Sequence, residues 1–493
     1  MDRQARVQDG TNPPSFRTAR LERANCCHPL LDYCRHPCLD RAFNIEVALM
    51  QVDPLHNRGF YVYGLGLSGR AVVGYLEDNM ARIFVGDDKL EQECDGHIPQ
   101  QVDDVDWSLV DVFVPAPGLP GTHPAYERAR VEHCEILGEL ELYAWRLMLA
   151  EEAPRVIAVT GTNGKSTTTA LIAHLLAHVD AGKIVAGGNL GLPLLNMPLG
   201  ASWHVVELSS YQLDLQSSFA ADVAVLTNLG IDHLDRHGSI ASYHQAKKKL
   251  FDQTCDHGGR LVLGVDDEAT ASWHQEFASL TPRLTSVGLC SHAQIHIDGQ
   301  NLHVSSGTYQ LDIPKSLQGQ HNGQNIASAI GACLAAGFEL EELLPALSSF
   351  PGLPHRLEHV RGHGSFEFVN DSKATNAASA CHALRAWPNA YWLVGGLSKR
   401  EDLSILVRAA QETSAKAYCF GKDAKVFAEA LRGAVPVMEF SDLPEAFRAA
   451  VADASKAGGG AIVLSPASAS FDAYPNFMAR GDHFRELAEA WVS

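Results

Sequence analysis

One lysine and one serine follow a glycine, threonine and asparagine turn in Arg155–Thr169, which reads RVIAVTGTNGKSTTT. The apolar, β-branched run predicts a strand. Gly161, Thr162, Asn163 and Gly164 predict a tight turn, and Lys165, Ser166 and Thr167 open a segment expected to be helical to Ala177. A strand that delivers such a turn onto a helix N-terminus aims backbone N–H groups at an anion. The lysine then reaches the β- and γ-phosphates and the serine hydroxyl ligates Mg²⁺. Val159 stands where the strict P-loop pattern has glycine, so the match is a variant. The alternative is an ordinary β-turn-α corner, but the strand-to-helix context favours phosphate binding.

Three further groups could serve that chemistry. Glu207 ends the apolar strand HVVEL, where a carboxylate is costly unless paired or metal-bound. It is a candidate Mg²⁺ ligand, with a structural ion pair as the alternative. His233, in DHLD, sits just past the next strand and is either an imidazole ligand or structural. In ASYHQAKKKLF, Tyr243, Lys247, Leu250 and Phe251 share one helical face, whereas Lys248 and Lys249 point elsewhere. Lys247 is therefore either a snorkelling stem or a lysine of depressed pKa that takes up CO₂ and becomes an anionic oxygen ligand.

The elements that must position these groups read as three α/β segments. The first, 52–145, carries Gly64-Leu65-Gly66-x-Ser68-Gly69 between a strand and a helix-like Arg70–Asn79, then a strand ending at Asp87, Asp88 and Lys89. This is the dinucleotide-type fingerprint. Strand Leu109–Val114 follows and runs into a turn at Gly118. The second segment, 146–352, holds the phosphate loop, strands Trp203–Leu208 and Asp222–Thr227, a β-rich elaboration over 260–313, and a helix from Asn322 to Ala336. The third, 353–493, begins after Pro351-Gly352-Leu353-Pro354, a natural hinge, and alternates strands with helices as a doubly wound domain does.

Composition limits the partners. The chain has 493 residues and a net charge of −19, which excludes a general nucleic-acid binder. No apolar run is long enough to span a bilayer, and the N-terminus lacks a signal-peptide core. A cytoplasmic chain without membrane insertion is expected. Of eleven cysteines, seven are scattered and read as free thiols; four crowd into Cys26–Cys38 at spacings that fit no standard zinc finger. Residues 1–51 read as a disordered or non-native extension, with Met50 a candidate start.

TGTNGKST, GGNLG, VVELSSYQLD, TNLGIDHLD, the YxxAK helix, HNGQN, LPHRLE, NDSKATN and SPASASFD occur in the order seen in the Mur ligases. From about residue 58 to its C-terminus the chain resembles that family, and NDSKATN with GTNGKST points to its D-glutamate-adding member. The resemblance implies an α/β chain of three domains: a Rossmann-like N-terminal domain that binds UDP, a central P-loop ATPase domain, and a Rossmann-like C-terminal domain. It implies a monomeric ligase of peptidoglycan-precursor synthesis. That ligase would use ATP and Mg²⁺ to add D-glutamate to UDP-N-acetylmuramoyl-L-alanine through an acyl phosphate.

By the same resemblance the glycine fingerprint serves UDP rather than NAD. Asp87, Asp88 and Lys89 lie near uracil, and Gly118 matches a substrate turn whose usual serine is Ala116 here. Asn189 matches a contact to substrate and γ-phosphate. Ser166, Glu207, His233 and carbamylated Lys247 match the magnesium site. Asn322 and Asn325 match adenine contacts, and Arg356 and Asp371 hold ATP from the third domain. His355, Lys373, Thr375, Lys399, Ser470, Phe471 and Phe477 match the region that positions glutamate; Phe471 replaces a common leucine. Lys165, His233, Lys247 and Arg356 are the expected catalytic groups. The competing readings are another Mur-type or folate-type ligase, a nucleotide-binding scaffold without turnover, and an NAD-dependent dehydrogenase, which would leave the phosphate loop unexplained.

Overall fold

The computed structural model describes residues 54–491, apart from 90–92, 94–95, 281–282, 318 and 399–401. The Cys26–Cys38 cluster, Met50, Cys94 and Lys399 lie outside the described residues. From Asn57 onward the chain forms one unit built on three sheets.

The first sheet contains β1 (Gly59–Tyr63), β2 (Arg82–Gly86), β3 (Val112–Pro115) and β4 (Glu135–Ile136). They pair in the order β2-β1-β3-β4, all parallel. Tyr61, Tyr63, Trp107, Phe113 and Tyr126 fill an aromatic core against it. The helix after β1 runs from Leu67 to Asp78, earlier than its apolar pattern suggests, because exposed Leu67 gives no periodic signal.

The second sheet carries the chemistry. Its strands are β5 (Arg155–Thr160), β6 (Ile184–Gly188), β7 (Trp203–Glu207), β8 (Val223–Leu226), β9 (Arg260–Gly264), β10 (Leu284–Gly288), β11 (Ile295–Asp298), β12 (Asn301–Val304) and β13 (Gly307–Gln310). The order is β13-β12-β11-β10-β9-β8-β5-β7-β6. β5, buried from Val156 to Thr160, lies between β7 and β8, so all three deliver their C-terminal ends to one crevice, the place where open parallel sheets bind ligands. Helices Lys165–Val179 and Gln320–Ala336 bury Leu171, Leu175, Ile326 and Ile330 in the core beside this sheet. Each such side chain contributes about 1.5–3 kcal/mol.

Residues 260–313, expected as a β-rich elaboration, divide in two. β9 and β10 are parallel members of the main sheet with helix Glu268–Phe277 between them. Only β11–β13 turn antiparallel. The helix buries little beyond Thr270, Trp273 and Phe277, too sparse a stripe to stand out in sequence.

The third sheet orders β14 (Glu358–His363), β15 (Phe366–Asn370), β16 (Tyr391–Gly395), β17 (Lys416–Phe420), β18 (Val437–Glu439) and β19 (Gly460–Leu464) as β14-β15-β19-β16-β17-β18. Only the β14–β15 pair is antiparallel. Helices Ala377–Ala386, Ser404–Glu412 and Ala424–Leu431 share one core, and Leu443–Lys456 and Phe477–Ala490 share another. Among the described cysteines, Cys134, Cys333, Cys381 and Cys419 are buried free thiols, and Cys255 and Cys290 are half-buried and free.

Candidate active site

The phosphate loop is held open by its neighbours. Gly161 has φ 146° and Gly164, which caps helix Lys165–Val179, has φ 81°. A Cβ on Gly164 would lie 2.1 Å from Asn325 Oδ1, so this position needs glycine for space as well as for conformation. Asn228 Oδ1 accepts from Asn163 N at 2.8 Å, and Thr227 Oγ1 donates to Asn163 O at 2.6 Å. Thr162 Oγ1 lies 3.1 Å from the Tyr243 hydroxyl and accepts from Gly230 N at 2.8 Å. The sequence alone singled out none of these clamping contacts, which span 64 to 81 residues of chain.

Two lysines meet on this loop. Lys165 Nζ donates to Gly161 O and Thr162 O, each at 3.0 Å. Lys247 Nζ donates to the same Gly161 O at 3.0 Å and lies 4.6 Å from the centre of the Tyr243 ring. Helix Ile240–Asp256 buries Tyr243, Ala246, Lys247, Leu250 and Phe251, placing Lys247 on the inner face. Lys248 instead pairs with Asp252 and Glu276, each at 2.9 Å. Burial pushes the Lys247 ammonium well below its ordinary pKa, and nearby Lys165 adds to the shift. Burial lowers Lys165 too, with Glu207 opposing.

Glu207 is almost wholly buried at the end of β7. Its Oε1 accepts from Asn189 Nδ2 at 2.7 Å, while its Oε2 is buried without a hydrogen-bond partner. An orphaned carboxylate oxygen at this depth costs roughly 1–3 kcal/mol or more unless a cation or donor meets it. Together with the Ser166 hydroxyl this donor set suits Mg²⁺, a hard cation that takes oxygen ligands. His233 is exposed in a left-handed turn (φ 50°), with Nδ1 3.0 Å from the Tyr211 hydroxyl. Among the described residues, no three His, Cys, Asp or Glu side chains converge as a ready-made metal cage. Asn189 thus stands with Glu207, on the second sheet.

The third sheet closes the crevice. Arg356 Nη2 donates to Ser166 Oγ at 3.0 Å across 190 residues of chain. Burial lowers the Arg356 pKa, opposed by Glu207 and Asp371. Asp371 accepts from Ser465 Oγ at 2.7 Å and Leu357 N at 3.2 Å, and burial raises its carboxyl to about 7. A cleft of about 490 Å³ lies between the two sheets. Thr162, Asn163, Gly164, Thr167, Asn322 and Asn325 line one wall, and Arg356, Asp371 and Lys373 another. Asn325 Nδ2 donates to Asn322 Oδ1 at 2.9 Å, so those two asparagines act as a pair.

The predicted amino-acid residues are spread over loops of the third sheet. Lys373 Nζ sits 4.2 Å from the Phe477 ring centre and also faces the cleft. Thr375 N donates to Lys373 O at 2.8 Å. Ser470 Oγ is buried with no partner, and Phe471 is 71% exposed. His355 is buried, its Nδ1 3.0 Å from Asn370 Nδ2 and its pKa lowered by burial.

Around the N-terminal glycines, Asp87 accepts from Leu65 N at 2.7 Å and Lys89 N at 2.8 Å. Asp88 accepts from the Tyr63 hydroxyl at 2.6 Å, which lowers its pKa. A Cβ on Gly69 would fall 2.0 Å from Gly64 O, so helix and strand meet there only through glycine. Gly66 and Gly118 face open space, and Ser68 is half-buried.

Comparison with known proteins gives the family. Residues 159–333 match the Mur ligase middle domain, and 355–468 match the Mur ligase glutamate ligase domain. A UDP-N-acetylmuramoylalanine–D-glutamate ligase of Phenylobacterium zucineum is 38% identical over 473 residues, covering 90% of this chain and 98% of that protein. The chain belongs to the Mur ligase family. Another Mur ligase of that name, from Brucella abortus, is 39% identical over 90% of this chain and 98% of its own length. The Mur ligase fold is shared with a UDP-N-acetylmuramate–alanine ligase from Thermotoga maritima (TM-score 0.57, 18% identity, 88% of this chain and 100% of that one). It is also shared with a MurF ligase from Thermotoga maritima in complex with ADP (TM-score 0.55, 14% identity, 89% and 99%).

Proposed function

We infer that this chain joins D-glutamate to UDP-N-acetylmuramoyl-L-alanine in an ATP-driven, ADP-forming reaction of peptidoglycan synthesis. The observation that carries the reading is the Arg356–Ser166 hydrogen bond. It joins Arg356 to the helix after the phosphate loop, beside a cleft of about 490 Å³, with Lys165, Lys247 and Glu207 around the loop. The named relatives supply the amino acid and its acceptor.

The terminal carboxylate of the acceptor is a poor electrophile. Transfer of the γ-phosphoryl group makes it an acyl phosphate, the glutamate amine attacks that carbonyl, and phosphate leaves from the tetrahedral intermediate. Catalysis is then alignment and charge neutralisation, with no protein nucleophile. Lys165 leaves its two loop carbonyls for the β- and γ-phosphates, and Arg356 stabilises charge on the transferring group. Asn322 and Asn325 hold adenine, and Asp371 holds ATP from the third sheet. Lys247, as its carbamate, and Glu207, Ser166 and His233 would hold Mg²⁺, which supplies electrostatic stabilisation of phosphate charge when bound.

The Gly64–Gly69 turn, Asp87, Asp88, Lys89 and Gly118 take the UDP end of the acceptor, and Asn189 its reacting end. His355, Lys373, Thr375, Lys399, Ser470, Phe471 and Phe477 form the glutamate region. Domains at 52–145, 146–352 and 353–493 close about Pro351–Pro354 and exclude water from the acyl phosphate. The enzyme works as a cytoplasmic monomer. The test is product analysis after incubation with ATP, Mg²⁺, UDP-N-acetylmuramoyl-L-alanine and each glutamate enantiomer. ADP together with a dipeptidyl product from the D-enantiomer is expected; ADP without that product overturns the reading.

A further inference from the structure

Arg480 is fully buried in the first turn of helix Phe477–Ala490, and among the described residues no carboxylate lies within ion-pair distance of it. Burial lowers its pKa to about 10, which leaves it charged at neutral pH. Its partners are all on loops. Nε donates to Ser372 Oγ at 3.0 Å, Nη2 to Ser372 O at 2.9 Å and Ser468 O at 3.0 Å, and Nη1 to Ala469 O at 3.3 Å. Ser372 Oγ in turn donates to Phe477 O at 2.8 Å. Leu397 and Ala469 exchange backbone hydrogen bonds at 2.9 and 3.1 Å, which hitches the loop after β16 to the same knot.

One guanidinium therefore fixes the spacing of the segments that carry Lys373, Ser470, Phe471 and Phe477. We propose that Arg480 is a positioning residue for the incoming amino acid, acting through Ser372, Ser468 and Ala469 without touching the substrate. The inference rests on the glutamate region assigned above. Two further features support it. Ser470 Oγ, one residue from Ala469, is buried and unpartnered, as a group held ready for a ligand would be. A Cβ on Gly396 would approach Ala469 O at 2.5 Å and Arg480 Nη1 at 3.1 Å, so the neighbouring loop is fitted closely to the guanidinium. Arginine suits the post because its planar fork serves several carbonyls at fixed angles; a lysine offers a single point charge.

The experiment compares Arg480→Met, Arg480→Lys and Ser372→Ala with the unaltered enzyme. It measures KM for D-glutamate, KM for UDP-N-acetylmuramoyl-L-alanine, and the ATP dissociation constant. Misplaced binding groups raise the glutamate KM by about tenfold or more in Arg480→Met and less in the other two, with the ATP constant within about twofold. A merely structural role would move all three constants together or only the melting temperature. Equal glutamate KM in every folded variant overturns the proposal. Should Arg480→Met fail to fold, Ser372→Ala decides, since it removes a single hydroxyl from the knot: an unchanged glutamate KM there overturns the proposal too. An unaltered enzyme that releases ADP without incorporating glutamate overturns the functional reading, and this inference with it.

Discussion

Lys165 and Lys247 donate to one carbonyl oxygen, that of Gly161, each at 3.0 Å. Two ammonium groups so close in a buried setting repel, and burial already disfavours the charge on both. On the proposed function this repulsion would be relieved were Lys165 to turn to phosphate and Lys247 to lose its proton and add CO₂ at the neutral amine.

The two lysines are therefore expected to fail differently. Lys165→Ala and Lys247→Ala should each lower ADP release by about 10³-fold or more, the scale of losing a central electrostatic group. Added formate or acetate should restore part of the activity of Lys247→Ala and none of Lys165→Ala. Steady-state ADP release with and without the added carboxylate reads both results.

Glu207→Gln keeps the shape of the side chain and a carbonyl oxygen for the Asn189 bond, and removes the negative charge beside the orphaned Oε2. The Mg²⁺ concentration for half-maximal activity should rise by about tenfold or more, following the loss of an anionic ligand from a hard cation. A magnesium titration at saturating ATP gives the answer directly.

Arg356 reaches Ser166, just after the phosphate loop, from the segment that precedes β14, so its removal should damage ATP use while leaving acceptor binding intact. Arg356→Ala is expected to cut kcat/KM for ATP by about 10²-fold or more. Arg356→Lys should recover little, because a point charge replaces a two-pronged donor. The KM for the UDP substrate is the control.

Asp371 has a pH signature. Its carboxyl titrates at about 7 in the folded chain and near ~3.9 when unfolded. Between those values the folded form holds the extra proton. The stability this group contributes is therefore complete below the unfolded pKa and is lost as pH rises through about 7. Asp371→Asn mimics the protonated form and should flatten the fall in melting temperature between pH 5.5 and 8. Thermal melts of nucleotide-free protein across that window provide the measurement.

The features legible in sequence were local ones. RVIAVTGTNGKST spelled out strand, turn and helix because each step obeys short-range chemistry, and the helical period alone put Lys247 and not Lys248 on the inner face. The contacts that complete the site are long-range. Arg356 meets Ser166 across 190 residues, Asn228 meets Asn163 across 65, and Arg480 meets Ser372 across 108. No periodicity encodes those meetings. Family motifs carried Arg356 into view, whereas Arg480, an arginine in an otherwise mixed helix, gave no signal until the sheets were assembled. Helix Glu268–Phe277 stayed hidden for a related reason, its buried stripe being too thin to betray a period.

The fastening of Asn163 by Asn228 and Thr227, and of Thr162 by Tyr243 and Gly230, holds the cradle through the protein's own contacts. Docking then costs little chain entropy, so tight affinity need not wait for a folding step. Calorimetry of ADP binding should accordingly show a modest entropic penalty, and substitutions that loosen Asn228 should increase it.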